Sequence, residues 1–139
     1  MLTLTDDPDP RLEPMLEAGL AEHNAEMARI RDWRAMAVTV HDPETDELAG
    51  GILGRTSMAL FFLDLFYLPK RLQRGGLGSR ALRMAEDEAA RRGCTAGTLV
   101  TVNFQAPEFY ARHGWEVFGR IATVPGVERI FMRKTLEAK

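Results

Sequence analysis

Cysteine is nearly absent from this chain: Cys94 is the only one in 139 residues, which excludes an intrachain disulfide and any cysteine-based metal cluster. It follows Arg91-Arg92-Gly93, where a helix should end, and reads as a small buried residue entering a strand rather than a reactive thiol. Histidine is sparse as well. His23, His41 and His113 stand singly without metal-ligand spacing, so no metal is assigned. No apolar run approaches the ~18 residues expected of a membrane span, because Met58 to Leu68 is short and broken by Asp64. Met1 to Asp7 lacks a basic region followed by an apolar stretch; no signal peptide is expected there, and the cytoplasm is the default location. Neither sign of charge dominates. A formal net charge of −2 and a pI near 5.9 argue against a general nucleic-acid binder. Internal repeats and low-complexity tracts are missing too.

What is present suits one globular domain spanning residues 1–139, with 45% hydrophobic and 27% charged residues. Met1 to Thr5 alternates and predicts a short first strand. Leu12, Met15, Leu16, Leu20 and Met27 recur at helical spacing through about Arg29, with Glu17, Glu22 and Glu26 on the polar side. Ala35 to His41 and Leu48 to Arg55 read as strands joined by the polar connection Asp42 to Glu47, and Gly50-Gly51 marks a bulge. Met58 to Leu68 reads as a central strand buried on both faces. Gly76 to Arg92 is a helix capped by Gly93, Gly97 to Val102 a strand, and Gln105 to Arg112 a short helix ended by Gly114. Trp115 to Thr123 and Val127 to Leu136 form a hairpin turning at Pro125-Gly126. The fold class is α+β: a single mixed, mostly antiparallel sheet of about seven strands flanked by three to four helices.

Chemistry concentrates in Tyr67 to Ala81, YLPKRLQRGGLGSRA, where a strand end and a short basic connection lead through glycines into a helix. Glycines at a helix mouth let the backbone approach an anion, and the unpaired N–H groups and helix dipole favour a phosphate there. A phosphorylated cofactor is implied, and the basic cluster Lys70, Arg71, Arg74, Arg80 and Arg83 flanking this turn is expected to help hold its phosphates. The glycines alone could equally form a tight turn. Gly76 to Ala81 fits G-x-G-x-x-A, but Pro69 to Gly75 separate it from the strand and no acid follows around Gly97 to Val102, as a dinucleotide fold would want. A P-loop would need Gly-Lys-Ser/Thr, which Gly78-Ser79-Arg80 does not supply.

The pattern that fits is Q/R-x-x-G-x-G/A, filled by Gln73, Gly76 and Gly78. It resembles the pyrophosphate-binding motif of the GNAT superfamily of acyl-CoA-dependent N-acyltransferases. Downstream, Asn103, Ala106, Phe109-Tyr110 and Gly114-Trp115 resemble that family's N…A…FY-x-x-x-G-F/W stretch, and the likeness covers nearly the whole chain. The resemblance implies acetyl-CoA as cosubstrate. The backbone of Arg74, Gly75, Gly76, Leu77, Gly78 and Ser79, entered from Gln73, would cradle its diphosphate. The strand end Phe66-Tyr67-Leu68 would hold the pantetheine arm where the sheet splays, with Asn103, Phe109, Tyr110 and Arg112 contacting the cofactor from the far side. Tyr110 holds the position where the family commonly places its general acid.

Acyl transfer to an amine needs a neutral amine, a polarised thioester carbonyl and a proton for the leaving thiolate. A lysine-like amine of pKa ~10.4 is neutral in roughly 1 of 2,500 molecules at pH 7, so base or desolvation must help. Asp64 is the candidate base, since a carboxylate in so apolar a run is costly unless paired or useful; pairing with an arginine is the competing role, and the family resemblance implies either a carboxylate on this strand or a water chain as base. His113 could serve as a base, but its place at a helix end reads first as a cation near the last carbonyls. The expected activity is acetyl transfer to a primary amine, probed against two alternatives: a protein lysine or N-terminal acetyltransferase, and an inactive CoA-binding module. A small-molecule amine, cationic in view of the acidic first helix and Asp64, is the expected partner, without nucleic acid or membrane. The terminal hairpin could support a homodimer.

Overall fold

A computed structural model describes residues 1–28 and 33–137. The chain divides into two compact units, Met1–Trp33 and Arg34–Lys139. In the first, helix α1 spans Leu12–Ala28. Its start is set by Asp9, whose carbonyl accepts from the Leu12 N–H at 2.9 Å and whose carboxylate pairs with Arg11 at 2.6 Å. The predicted helix end at Arg29 lies outside the described residues. Met1 to Thr5, predicted as a strand, is not one. Alternation over five residues shows which side chains could share a face, but a strand exists only through a partner's ladder.

The second unit holds a sheet of six strands among the described residues, in the order β1-β2-β3-β4-β6-β5, one fewer than predicted because Met1 to Thr5 does not join. The strands are β1 (Arg34–His41), β2 (Leu48–Ser57), β3 (Leu60–Tyr67), β4 (Ala96–Val102), β5 (Glu116–Ala122) and β6 (Glu128–Thr135). Helix α2 (Leu77–Arg91) connects β3 to β4, and α3 (Pro107–Arg112) connects β4 to β5. All neighbours pair antiparallel except β3 and β4, as a mixed sheet with one crossover helix requires. The bulge expected near Gly50 is present, with Val40 opposite Gly50 and His41 opposite Leu48.

Two features of β3 position the site. Its parallel ladder with β4 covers only Leu60↔Ala96, Phe61↔Gly97 and Phe62↔Thr98, after which no further pair forms and the strands part. Its pairing with β2 slips between Leu53↔Leu65 and Gly54↔Leu63, which leaves Asp64 as the extra residue of a bulge. The slip changes which residues face the core: Phe61 and Leu63 before it, Phe66 and Leu68 after it. Burial on both faces, predicted for this strand, is therefore corrected, because Asp64, Leu65 and Tyr67 are exposed. An apolar run by itself does not reveal a bulge or a parting ladder.

The core packs Ala81, Leu82, Ala85 and Ala89 of α2 with Phe61, Leu63, Leu99, Trp115 and Met132. Alanines at this spacing let α2 lie close to the sheet, and each buried methyl or methylene contributes about 0.8 kcal/mol. Arg92 then staples the helix to β1 and β2 through Glu88 at 2.9 Å, the Ala35 carbonyl at 3.1 Å and Thr56 Oγ1 at 3.1 Å.

Candidate active site

Both helices of the second unit end in the same local motif, and the sequence writes it each time. After α2, the Gly93 N–H donates to the Ala90 carbonyl at 3.0 Å and the Cys94 N–H to the Ala89 carbonyl at 2.9 Å. After α3, Gly114 donates to Ala111 at 3.1 Å and Trp115 to Tyr110 at 3.0 Å. These are Schellman closures with glycine in the left-handed region, φ 88° in both cases. At α3 the closure also fixes the aromatic cluster: the Tyr110 ring packs edge-on against Trp115 at 6.2 Å, Phe109 at 5.4 Å and Phe66 at 6.4 Å. Tyr110 is thus buried beside the end of β3, and burial pushes its phenol up to about 12.

The start of α2 is built differently. Gly75 and Gly76 adopt φ 90° and 83°, a consecutive left-handed pair that only glycine takes without strain. Gly76 is the N-cap and no side chain caps the helix; the first helical bond runs from the Arg80 N–H to the Gly76 carbonyl at 3.0 Å. Amides of the first turn therefore point out of the helix without intrahelical acceptors. A Cβ placed on Gly75 or Gly76 would meet nothing within 4 Å, so the space in front of them is open. On Gly78 it would make only ordinary contacts, 3.5 Å to Leu68 and Phe109, which is why Gly or Ala suits that position.

Ser79 Oγ lies 2.9 Å from His113 Nε2, joining the first turn of α2 to the end of α3. Gln73 turns its amide back to the Leu68 carbonyl at 3.0 Å, so its side chain shapes the turn and leaves its backbone for other work. Arg74 and Arg112 are exposed. Arg71 is committed elsewhere, to Asp42 at 3.0 Å; the Glu44 N–H first and this guanidinium second hold the Asp42 carboxyl below the usual range.

Asp64 pairs with Arg55 at 3.3 Å, and the Arg55 guanidinium stacks 4.0 Å over Phe62. The carboxylate consequently sits on the face of β3 opposite the one that Phe66 shares with Tyr110. Asn103 spends its amide on the β5–β6 turn, donating to the Gly126 carbonyl at 3.1 Å and accepting from the Glu128 N–H at 2.9 Å. With Ala122 to Glu128 it lines a surface cavity of about 530 Å³. Phe66, Leu68, Gly76, Gly78, Ser79, Phe109 and Tyr110 are thus brought together around the point where β3 leaves β4. Two features escaped the sequence reading: the bulge at Asp64 and the Ser79–His113 contact, whose partners are 34 residues apart with no local signal linking them.

The Acetyltransferase (GNAT) family profile matches residues 5–115. An acetyltransferase from Agrobacterium fabrum is 26% identical over 127 residues, 91% of this chain and 92% of that protein. A blasticidin-S acetyltransferase from Streptomyces morookaense is 36% identical over 83 residues, 59% of this chain and 61% of that protein. The crystal structure of a candidate acetyltransferase from Agrobacterium tumefaciens superimposes with a TM-score of 0.86 at 25% identity, covering 98% of this chain and 99% of that one.

Proposed function

The chain belongs to the GNAT acetyltransferase family and is an acetyl-CoA-dependent acetyltransferase; on that premise we propose that it acetylates a primary amine of a small molecule by direct attack, working as one domain over residues 1–139. The observation that carries this reading is the uncapped start of α2 beside the parting of β3 and β4, with the Tyr110 phenol buried at the same place. The open left-handed glycine turn and its free amides suit a diphosphate, and the gap after Phe62 and Thr98 suits an extended arm.

When bound, acetyl-CoA supplies an acetyl group activated as a thioester. Amides of Arg74 to Ser79 would hold its diphosphate, and Phe66 to Leu68 with Phe109 would flank its arm. Asn103 and Arg112 are assigned to the far side, Asn103 acting through the turn it pins. Tyr110 remains a phenol at neutral pH and is the proton donor to the departing sulfur. With cysteine's ~8.5 as a guide to the thiol, full transfer from a phenol near 12 is roughly 5 kcal/mol uphill, so the proton follows the sulfur only as charge builds there. Asp64 is the carboxylate assigned to receive the amine's proton. It faces the side of β3 opposite Tyr110 and is paired with Arg55, so it receives that proton only through intervening water.

A small-molecule acceptor is favoured by the relative whose name gives blasticidin S as its substrate. No described helix is long and apolar enough to cross a membrane. The edge strand β5, with exposed Val117, Phe118 and Ile121, favours a homodimer, which light scattering would test. For the activity, thiol release from acetyl-CoA is measured with small amines, blasticidin S included, against lysine peptides and peptide N-termini. Turnover confined to peptides would reassign the acceptor, and CoA binding without turnover on any amine would make the chain a binding module.

A further inference from the structure

His113, read from the sequence as a helix-end cation, has no part in the site described above, yet it makes the one polar side-chain contact described between the phosphate turn and α3. It is the C-cap of α3, half-buried, with its N–H on the Tyr110 carbonyl at 2.9 Å and its ring against Phe109 at 4.8 Å. That packing holds the imidazole with Nε2 at 2.9 Å from Ser79 Oγ, the third residue of α2. A hydroxyl has one hydrogen to give and two lone pairs to receive with. If Nε2 accepted that hydrogen, Ser79 would turn only lone pairs toward an anion, which repels it. If Nε2–H donates, the hydroxyl hydrogen is released to point outward with the amides of the first turn.

We propose that His113 is a positioning residue for the acetyl donor: its Nε2–H donates to Ser79 Oγ and so leaves the Ser79 O–H free to bond a diphosphate oxygen. The proposal rests on the reading that the α2 turn holds the diphosphate. It differs from a merely structural role for His113 in one respect, that its effect depends on whether the donor carries a diphosphate at all.

The experiment compares acetyl-CoA with S-acetylpantetheine, which has the arm but no diphosphate, in the parent and in His113→Ala, His113→Gln, Ser79→Ala and Ser79→Ala/His113→Ala. Loss of one hydrogen bond to an anion predicts KM for acetyl-CoA raised on the order of tenfold in His113→Ala, with kcat at saturating donor within about twofold. His113→Gln, whose amide N–H reaches as far as Nε2, recovers most of the affinity, and the double variant is no worse than Ser79→Ala. KM for S-acetylpantetheine is the same throughout. Should His113→Ala fail to fold, His113→Asn keeps a polar group too short to reach Ser79 and should repeat its effect. The proposal is overturned if the His113 variants leave KM for acetyl-CoA unchanged, raise it equally for both donors, or multiply with Ser79→Ala. If Ser79→Ala weakens CoA binding and His113→Ala does not, the positioning role fails and the diphosphate site stands; if calorimetry finds no CoA binding to the parent, both fail.

Discussion

At its C-terminus α2 closes its carbonyls on Gly93 and Cys94 and is stapled to the sheet through Arg92, whereas at its N-terminus a left-handed glycine pair leads in and no side chain caps the amides. The C-terminus of α3 repeats the closed pattern and uses it to fix Tyr110. Glycine serves both kinds of end with nearly the same φ, 83° at Gly76 and 88° at Gly93 and Gly114. The difference lies in what completes the hydrogen bonds. Closed ends consume their own polar groups and so stabilise the fold; the open end leaves donors unsatisfied and so can bind an anion.

The sharpest contrast should come from removing the chemistry proposed for Tyr110 at the closed end of α3 while leaving the open end of α2 intact. Tyr110→Phe keeps the ring and its packing, and is expected to lower kcat on the order of 100-fold or more with KM for acetyl-CoA within about twofold. Steady-state thiol release reads both constants, and a rise in KM at unchanged kcat would undo the assignment.

Matched glycine substitutions come next. Gly76→Ala and Gly93→Ala each force a Cβ into the left-handed region, at about 1–2 kcal/mol of stability. Only Gly76→Ala should also weaken CoA binding, on the order of tenfold, since only that turn is proposed to hold the diphosphate. Calorimetry beside urea unfolding separates the two. Equal effects on affinity would erase the distinction between the ends.

How much of this was legible beforehand follows the range of each interaction. Both glycine closures, the Pro125-Gly126 turn and the glycine mouth of α2 are set within six residues or so, and their residues announce them. The Gly126 φ of 81° and the bond from the Val127 N–H to the Val124 carbonyl, 2.9 Å, bear out that turn. Strand order could follow from the family resemblance. Met1 to Thr5 failed as a strand because pairing is decided by a partner remote in sequence. The bulge at Asp64 is likewise a property of two strands together, invisible in an apolar run. Asp64 met its arginine, as the competing role for a carboxylate there had it, but which arginine was a matter of register: Gly54 faces Leu63, and that sets Arg55 beside the bulge. Ser79 and His113 meet only because two helices pack, a fact no local pattern encodes.

Smaller effects belong to pH. The folded Tyr110 holds its proton to about 12 against roughly 10 in the unfolded chain. Below about pH 10 both states are protonated and the shift contributes nothing to the pH dependence. Above it the unfolded chain releases the proton first, so stability falls between about pH 10 and 12, by up to roughly 3 kcal/mol, and Tyr110→Phe should flatten that slope. By the same argument, loss of activity through Tyr110 ionisation should not begin below about pH 10. At the other extreme Asp42 is held low by the Glu44 N–H and Arg71. A depressed carboxyl stabilises the fold above the ordinary aspartate range, and that contribution is lost as pH falls through its folded value. Arg71→Ala should therefore cost a little stability at pH 7 and progressively less in acid, while leaving CoA affinity unchanged. A fall in affinity would place Arg71 among the groups at the open end of α2, and not in the hairpin beyond β1 where its carboxylate partner holds it.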